Sequence, residues 1–145
     1  MGSMIAVLIH WKVLDQMIKH ARHAYPLECC GLLSGSGEAI DGALQTSNQS
    51  RSSQEFSVPA EELFAFFKEL RQRGRRHLGI YHSHPRSEGL PSALDQFEYH
   101  YPEVSYWIIS LKEDEPKIGC FKWRQGEFER VSFRVISGPK KGNSV

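Results

Sequence analysis

Two histidines one residue apart, followed by a proline, form the segment His82-Ser83-His84-Pro85. The residues just before it are mostly apolar, which is typical of a short buried strand. Side chains i and i+2 of a strand point to the same face, so the two imidazoles should lie side by side, in line with Leu78 and Ile80. Pro85 lacks a backbone N–H and should end the strand. The segment therefore predicts a metal-binding pair; the alternative is a pair of hydrogen-bonded core histidines.

A catalytic zinc ion takes three protein ligands and keeps a fourth position for water. Asp95 is the best candidate for the third ligand, because it lies eleven residues after His84 in the first turn of a predicted helix. Zinc lowers the pKa of bound water from ~16 to about 7. A base must still take the proton of that water and pass it to the leaving group. Glu28 is the candidate base, provided that the strand following it neighbours the histidine strand.

Both additional residues have a structural alternative. The pattern Ser92-x-x-Asp95 is also a variant of the helix capping box, with Ser92 as the N-cap. Glu28 taken alone is compatible with a solvent-exposed residue after the helix-ending Pro26. The neighbouring pair Cys29-Cys30 is interpreted as two small hydrophobes, because adjacent strand residues point to opposite faces and cannot easily serve one ion.

These segments together resemble the JAMM motif of the MPN+ (JAB1/MPN/Mov34) metalloproteases. His82-Ser83-His84-Pro85 is followed, seven residues after His84, by Ser92-Ala93-Leu94-Asp95, and the segment 25–33 matches the upstream glutamate segment of the family. The resemblance extends from Ile5 to about Val135. It implies an α/β (α+β) fold of the cytidine-deaminase-like JAB1/MPN type, with a central mixed β-sheet flanked by helices.

The resemblance also implies a zinc-dependent metallopeptidase or isopeptidase, with one Zn²⁺ per chain. By position in the motif, the metal ligands would be His82, His84 and Asp95. Glu28 would be the general acid and base, and Ser92 would stabilise the oxyanion, as preorganised hydrogen-bond donors do. The compact chain is similar to the small prokaryotic stand-alone members, which are associated with ubiquitin-like sulfur-carrier proteins. The implied reaction is hydrolysis of the bond after the C-terminal Gly-Gly of such a partner.

Partners and rival functions follow from the same resemblance. An extended Gly-Gly tail can add to a sheet edge, and Ser52–Val58 is a candidate edge. Related domains often dimerise, so the chain is compatible with a homodimer. The main alternative function is a non-catalytic MPN scaffold that binds a ubiquitin-like or other protein, against which the intact motif argues. A zinc deaminase would need His-x-Glu and a later Pro-Cys-x-x-Cys, and the sequence has neither.

Composition predicts one soluble domain. The chain has 145 residues, of which 40% are hydrophobic and 24% charged, with a net charge of +1. That charge does not favour nucleic acid or an anionic membrane as the main partner. No apolar run approaches the roughly 18–20 residues that span a bilayer. The three cysteines are an odd number with one adjacent pair, which indicates a reducing, cytoplasmic location rather than a disulfide framework.

The domain is predicted over residues 4–137, with residues 1–3 typical of an expression remnant and residues 138–145 expected to be a disordered tail. The predicted strands are Met4–Ile9, Cys29–Ser34, Ala39–Leu44, the segment ending in His84, Ser105–Leu111, Ile118–Trp123 and Phe128–Ile136. The last two are expected to form a C-terminal β-hairpin through Gln125-Gly126. Helices are predicted over Val13–Tyr25, from Pro59 to Gly74, and from Ser92. A basic cluster, Arg71–Arg76, is interpreted as a solvated helix end, with an acidic partner or nucleic acid as the alternative.

Overall fold

The structure is a computed structural model that describes residues 6–47, 59–91 and 103–137. Within these ranges the helices are α1 (Trp11–Ala24) and α2 (Ala60–Arg73). The strands are β1 (Val7–His10), β2 (Cys30–Gly35), β3 (Gly42–Thr46), β4 (Arg76–His84), β5 (Ser105–Ser110), β6 (Lys117–Arg124), β7 (Glu127–Arg130) and β8 (Phe133–Ile136). The predicted helix from Ser92, the candidate edge Ser52–Val58 and the two chain termini lie outside the described residues.

Six strands form the central sheet, in the order β3-β2-β4-β5-β6-β7. The pair β4–β5 is parallel, and the other neighbouring pairs are antiparallel. A smaller parallel sheet pairs β1 with β8. The mixed central sheet and the two helices confirm the predicted α+β fold class. No helix in the described parts of the chain is long and apolar enough to cross a membrane.

Both helices carry the apolar stripe that their sequences predict. In α1 the buried residues are Val13, Met17 and Ala21, at helical spacing, and the Nδ1 atom of His10 accepts a hydrogen bond from the Lys12 N–H at 3.2 Å as the N-cap. In α2 the buried residues are Phe66 and Leu70. Gly74 ends α2 with a left-handed φ of 67°, which only glycine adopts without cost.

The C-terminal hairpin prediction is correct at its turn and wrong at its far end. Strands β6 and β7 pair across Gln125 and Gly126, as expected. The chain then leaves the central sheet, and β8 pairs with β1 instead of continuing β7. Phe133 explains the departure, because its ring packs against Trp107 at a centroid distance of 4.9 Å on the α1 side of the sheet. The departure brings Phe133 into the core on that side of the sheet.

The predicted strand Ala39–Leu44 is displaced towards its C-terminus. The structure starts β3 at Gly42, while Ile40 is fully buried and makes an isolated bridge to Ile9. Residues 36–41 are therefore a wider connection than a tight glycine turn. The side chain of Arg75 closes it by donating to an Asp41 carboxylate oxygen at 2.5 Å and to the Ser34 hydroxyl at 3.0 Å. Part of the predicted basic cluster thus has a structural role.

Strand β4 is also less regular than its sequence suggests. Its pairing with β2 shifts register between Leu33 and Ser34, which leaves one extra residue in β4. As a result Leu78 packs against the core on the α1 side, whereas Ile80 packs against the clusters on the opposite side. The prediction that Leu78 lies in line with the histidines is therefore wrong. Beyond the irregularity the strand alternates normally up to His84.

Candidate active site

The antiparallel pairing of β2 with β4 places Glu28 beside the histidine segment. Cys30 is paired directly with His82. One residue further out, the Ser83 N–H donates to the Cys29 carbonyl at 3.1 Å, and the Cys29 N–H donates to the Ser83 hydroxyl at 2.9 Å. These two bonds fix the start of β2 against the end of β4. Glu28 is the next residue along the chain, so its position follows from this register.

Glu28, His82 and His84 form a buried polar group at the C-terminal end of β4. Their exposed fractions are 5%, 4% and 4%. Glu28 Oε1 lies 3.8 Å from His82 Nδ1, which is longer than a hydrogen bond but within the range of an ion pair. The two imidazole rings have a centroid distance of 5.0 Å and an interplanar angle of 48°. The structure therefore confirms that the two histidines share one face and brings the predicted base to them.

A second hydrogen bond fixes the ring of His84. Its Nδ1 atom lies 2.7 Å from the carbonyl oxygen of Glu88. A carbonyl only accepts, so Nδ1 carries a proton, and in the neutral ring Nε2 keeps its lone pair. Metal-binding histidines commonly have this arrangement, in which a carbonyl partner on one nitrogen orients the other towards the metal. The Ser110 hydroxyl donates to the Ser87 carbonyl at 2.6 Å and holds the same segment from β5.

The donors that are present fit a zinc ion. Two buried imidazoles on one strand face are ligands that zinc prefers, and one of them has its tautomer set by a carbonyl. Among the described residues no group of three or more His, Cys, Asp or Glu residues could hold a metal ion. The predicted third ligand, Asp95, and the predicted oxyanion donor, Ser92, lie outside those residues. A complete ligand set therefore remains a prediction.

The adjacent cysteines behave as buried hydrophobes. Burial raises the pKa of Cys29 to about 12 and that of Cys30 to about 11. The Cys30 thiol contacts the Thr46 hydroxyl at 3.2 Å. A thiol that stays protonated at neutral pH is a poor nucleophile and a poor metal ligand. This agrees with the interpretation drawn from the sequence.

Sequence reasoning missed two supporting contacts. The Ser83 hydroxyl accepts a hydrogen bond from the N–H of Cys29, the residue after Glu28. Strand alternation predicts only that Ser83 lies on the face opposite the histidines and gives it no role at the site. The Tyr81 hydroxyl lies 2.7 Å from His20 Nδ1, which connects α1 to β4 one residue before His82. Burial lowers the pKa of His20, and its neutral imidazole can accept a hydrogen bond from the phenolic O–H. Nothing in the sequence pairs two residues that are 61 positions apart.

A mixed sheet between two helices, with two histidines at the end of β4 and a carboxylate beside them, fits the JAB1/MPN fold predicted from the sequence. The chain belongs to the family of prokaryotic homologues of the JAB domain, whose family profile matches residues 10–125. The predicted family is thereby confirmed.

Two relatives carry functional names. A protein of Haloferax volcanii named desampylase is 29% identical over 128 residues, covering 83% of this chain and 90% of the relative. A protein of Mycobacterium tuberculosis named CysO-cysteine peptidase is 25% identical over 139 residues, covering 94% of this chain and 88% of the relative. These names support the predicted hydrolase class.

Solved structures agree on the fold. A protein of Desulfitobacterium hafniense superposes with a TM-score of 0.80 at 31% identity, covering 90% of this chain and 92% of its own. A structure described as a JAMM metalloprotease-like zinc site in the proteasome and signalosome superposes with a TM-score of 0.61. That chain is 22% identical, with 92% of this chain and 100% of its own covered, and it supports the fold alone.

Proposed function

We propose that the protein is a zinc-dependent metallopeptidase or isopeptidase that hydrolyses the bond after the C-terminal Gly-Gly of a ubiquitin-like sulfur-carrier protein. The observation that carries the proposal is the buried group of Glu28, His82 and His84, with Oε1 of Glu28 3.8 Å from Nδ1 of His82. Relatives named desampylase and CysO-cysteine peptidase support the substrate class. The described cysteines are free and buried, which suits a cytoplasmic location.

In this proposal His82, His84 and Asp95 hold one Zn²⁺ per chain. Bound there, zinc would polarise the scissile carbonyl and make hydroxide available from water at neutral pH. Asp95 completes a set of two imidazoles and one carboxylate, which leaves one position open. The His84 ring is held for this role by its bond to the Glu88 carbonyl.

Glu28 moves the protons of the reaction. Its carboxylate takes one proton from the attacking water and delivers it to the nitrogen of the departing amine as the C–N bond breaks. The acyl carbon gains the hydroxyl, so one water is consumed for each bond cleaved. Because Glu28 is almost completely buried, little bulk water reaches the carboxylate during the transfer. The Ser92 hydroxyl donates to the oxyanion that develops on the substrate.

The test compares the wild type with Glu28→Gln and with Glu38→Gln, in which an exposed glutamate is changed in the same way. The substrate is a ubiquitin-like carrier extended beyond its Gly-Gly. Loss of a general base typically costs 10²–10⁴-fold in rate, so we expect kcat/KM to fall by about that factor in Glu28→Gln alone. Zinc content by elemental analysis should stay at one per chain in all three proteins. Activity of Glu28→Gln within a few-fold of wild type would contradict the assigned role.

Metal binding is tested separately with His82→Ala and the exposed-residue control His23→Ala. We expect the first to lose zinc and activity together and the second to keep both. A wild-type protein without zinc and without cleavage would favour the non-catalytic MPN scaffold. Zinc without cleavage of any carrier would leave the metal site in place and reject the substrate class.

A further inference from the structure

A cavity lies on the same face of the sheet as the histidines. Its volume is about 330 Å³, and its walls include Gly89, Leu90, Ser110, Ile118 and Arg130. Of the described site residues, Glu28, His82 and His84 do not line it. A volume of this size admits one or two amino-acid residues and no folded domain.

Strand register fixes where this cavity lies. On β5, Ser110 is paired with His84 of β4 on one side and with Lys117 of β6 on the other. Ile108 connects His82 with Gly119 in the same way. Directly paired residues of neighbouring strands share a face. Because strands lie about 4.8 Å apart, the cavity wall at Lys117 and Gly119 is roughly 10 Å across the sheet from the histidines.

The wall of the cavity is tied to the metal-binding strand. The Glu88 carbonyl accepts from His84 Nδ1 at 2.7 Å, and the Ser87 carbonyl accepts from the Ser110 hydroxyl at 2.6 Å. The segment 87–89 can approach the sheet closely because residue 119 is glycine: a Cβ on Gly119 would lie 3.0 Å from the Gly89 carbonyl oxygen. The cavity and the His84 ring are therefore parts of one connected unit.

Among the residues that the structure describes, the cavity wall has one more positive than negative side chain. Three cations line it, and two of them are paired: Lys112 with Glu88 at 3.6 Å and Lys117 with Glu113 at 3.4 Å. The third is Arg130, which makes no ion pair with a carboxylate in the parts of the chain that the structure describes. Its guanidinium lies 4.9 Å from the centroid of the Phe121 ring instead. Stacking on an aromatic face orients the guanidinium and leaves its N–H groups available.

We propose that this cavity binds the free carboxylate of the residue released by the enzyme, with Arg130 as the specificity-determining side chain. The inference rests on the proposed function and narrows its substrate class to a carrier extended linearly by one or two residues after Gly-Gly. A guanidinium matches a carboxylate through two parallel N–H···O bonds. Leu90 supplies an apolar wall for the side chain of that residue. An isopeptide-linked lysine inside a folded protein brings no such carboxylate.

The experiment uses two substrates built on one ubiquitin-like carrier. Both end in Gly-Gly-Ala; one has a free C-terminal carboxylate and the other a C-terminal carboxamide. Hydrogen bonds to charged groups typically contribute enough for a ten-fold effect, so we expect wild-type kcat/KM to be about ten-fold or more higher for the free acid. In Arg130→Gln the acid should fall to the level of the amide, while the rate on the amide changes less than about two-fold. Arg130→Lys should restore part of the preference.

The ratio of the two rates is the decisive readout, because partial unfolding lowers both rates equally. Arg134→Gln is the matched control, since Arg134 is exposed on β8 and does not line the cavity. It should keep the full preference. Equal cleavage of both substrates by the wild type would overturn the carboxylate site and leave the proposed peptidase standing. Equal loss on both substrates in Arg130→Gln would also overturn it. Cleavage of neither substrate by zinc-loaded wild type would reject the proposed function itself.

Discussion

The two faces of the central sheet are filled in different ways. On the face that packs against α1, one continuous apolar cluster includes Met17, Leu33, Trp107 and Ile109, each with 0% of its surface exposed. On the opposite face the described apolar residues form two clusters, one around Phe66 and one around Phe121. That second face also carries the buried polar group Glu28, His82 and His84.

Strand β4 contributes side chains to both faces, apolar ones to the α1 side and the two histidines to the other. Tyr81 joins the α1 cluster, whereas His82 and His84 point the other way. Burying a carboxylate and two imidazoles is unfavourable unless they are paired or bind a metal. The apolar face supplies the packing that holds β4 in place while its other face carries the chemistry. Changes on the α1 side should therefore reduce stability, and changes on the histidine side should reduce activity.

Of the changes that test this comparison, Trp107→Ala should cause the largest loss of stability. The indole is fully buried, donates to the Ser105 hydroxyl at 2.8 Å and packs on Phe133. Truncation should lower the free energy of unfolding by about 3–5 kcal/mol, measured by urea denaturation. Trp11→Ala is the control, because Trp11 is 46% exposed and should lose less than about 1 kcal/mol. Similar losses in the two variants would show that the α1 face is not the main source of stability.

Ser83→Ala should have an intermediate effect and should reduce both stability and activity. The change removes the bond from the Cys29 N–H to the Ser83 hydroxyl and leaves a buried donor without its acceptor. We expect a loss of about 1–3 kcal/mol in unfolding free energy. We also expect a lower kcat with little change in KM, because Glu28 adjoins the released segment. Ser36→Ala, at an exposed turn position, should change neither quantity; unchanged kcat in Ser83→Ala would show that Glu28 is positioned by other contacts.

A smaller effect should appear in alkaline solution through Cys120 on the α1 side. Burial raises the pKa of this thiol from 9.0 to about 12. As pH rises past 9, the unfolded chain loses the proton that the native state keeps, so native stability falls. Between pH 8 and pH 10 the contribution of this group should decrease by about 1 kcal/mol. Cys120→Ala should show a correspondingly shallower pH dependence of unfolding free energy; an identical dependence would contradict the assignment.

Phe64→Ala should have the smallest effect. Phe64 is 74% exposed on α2, whereas Phe66, two residues further along the same helix, is 5% exposed. We expect a change within about 0.5 kcal/mol for Phe64→Ala and a loss of about 3 kcal/mol for Phe66→Ala, both by urea denaturation. A larger loss for Phe64 would mean that the second face has a more extensive core than its two clusters indicate.

Local periodicity was enough to predict most elements and the relation between the two histidines. Apolar residues at helical spacing indicated α1 and α2, and Gly74 indicated the end of α2. Strand alternation placed His82 and His84 on one face, because a period of two is a property of the extended backbone itself. The motif spacing also indicated the family, which the family profile and the relatives confirm.

Long-range pairing decided the rest. The position of Glu28 depends on the register of β2 against β4, and residues 54 positions apart set that register through Cys29 and Ser83. The separation of β8 from the terminal hairpin depends on the burial of Phe133 against Trp107. The irregularity that turns Leu78 to the other face depends on β2. In each case the local sequence pattern allows one arrangement and contacts between distant residues favour another. Those contacts exist only in the folded chain, so the sequence pattern could not predict the result.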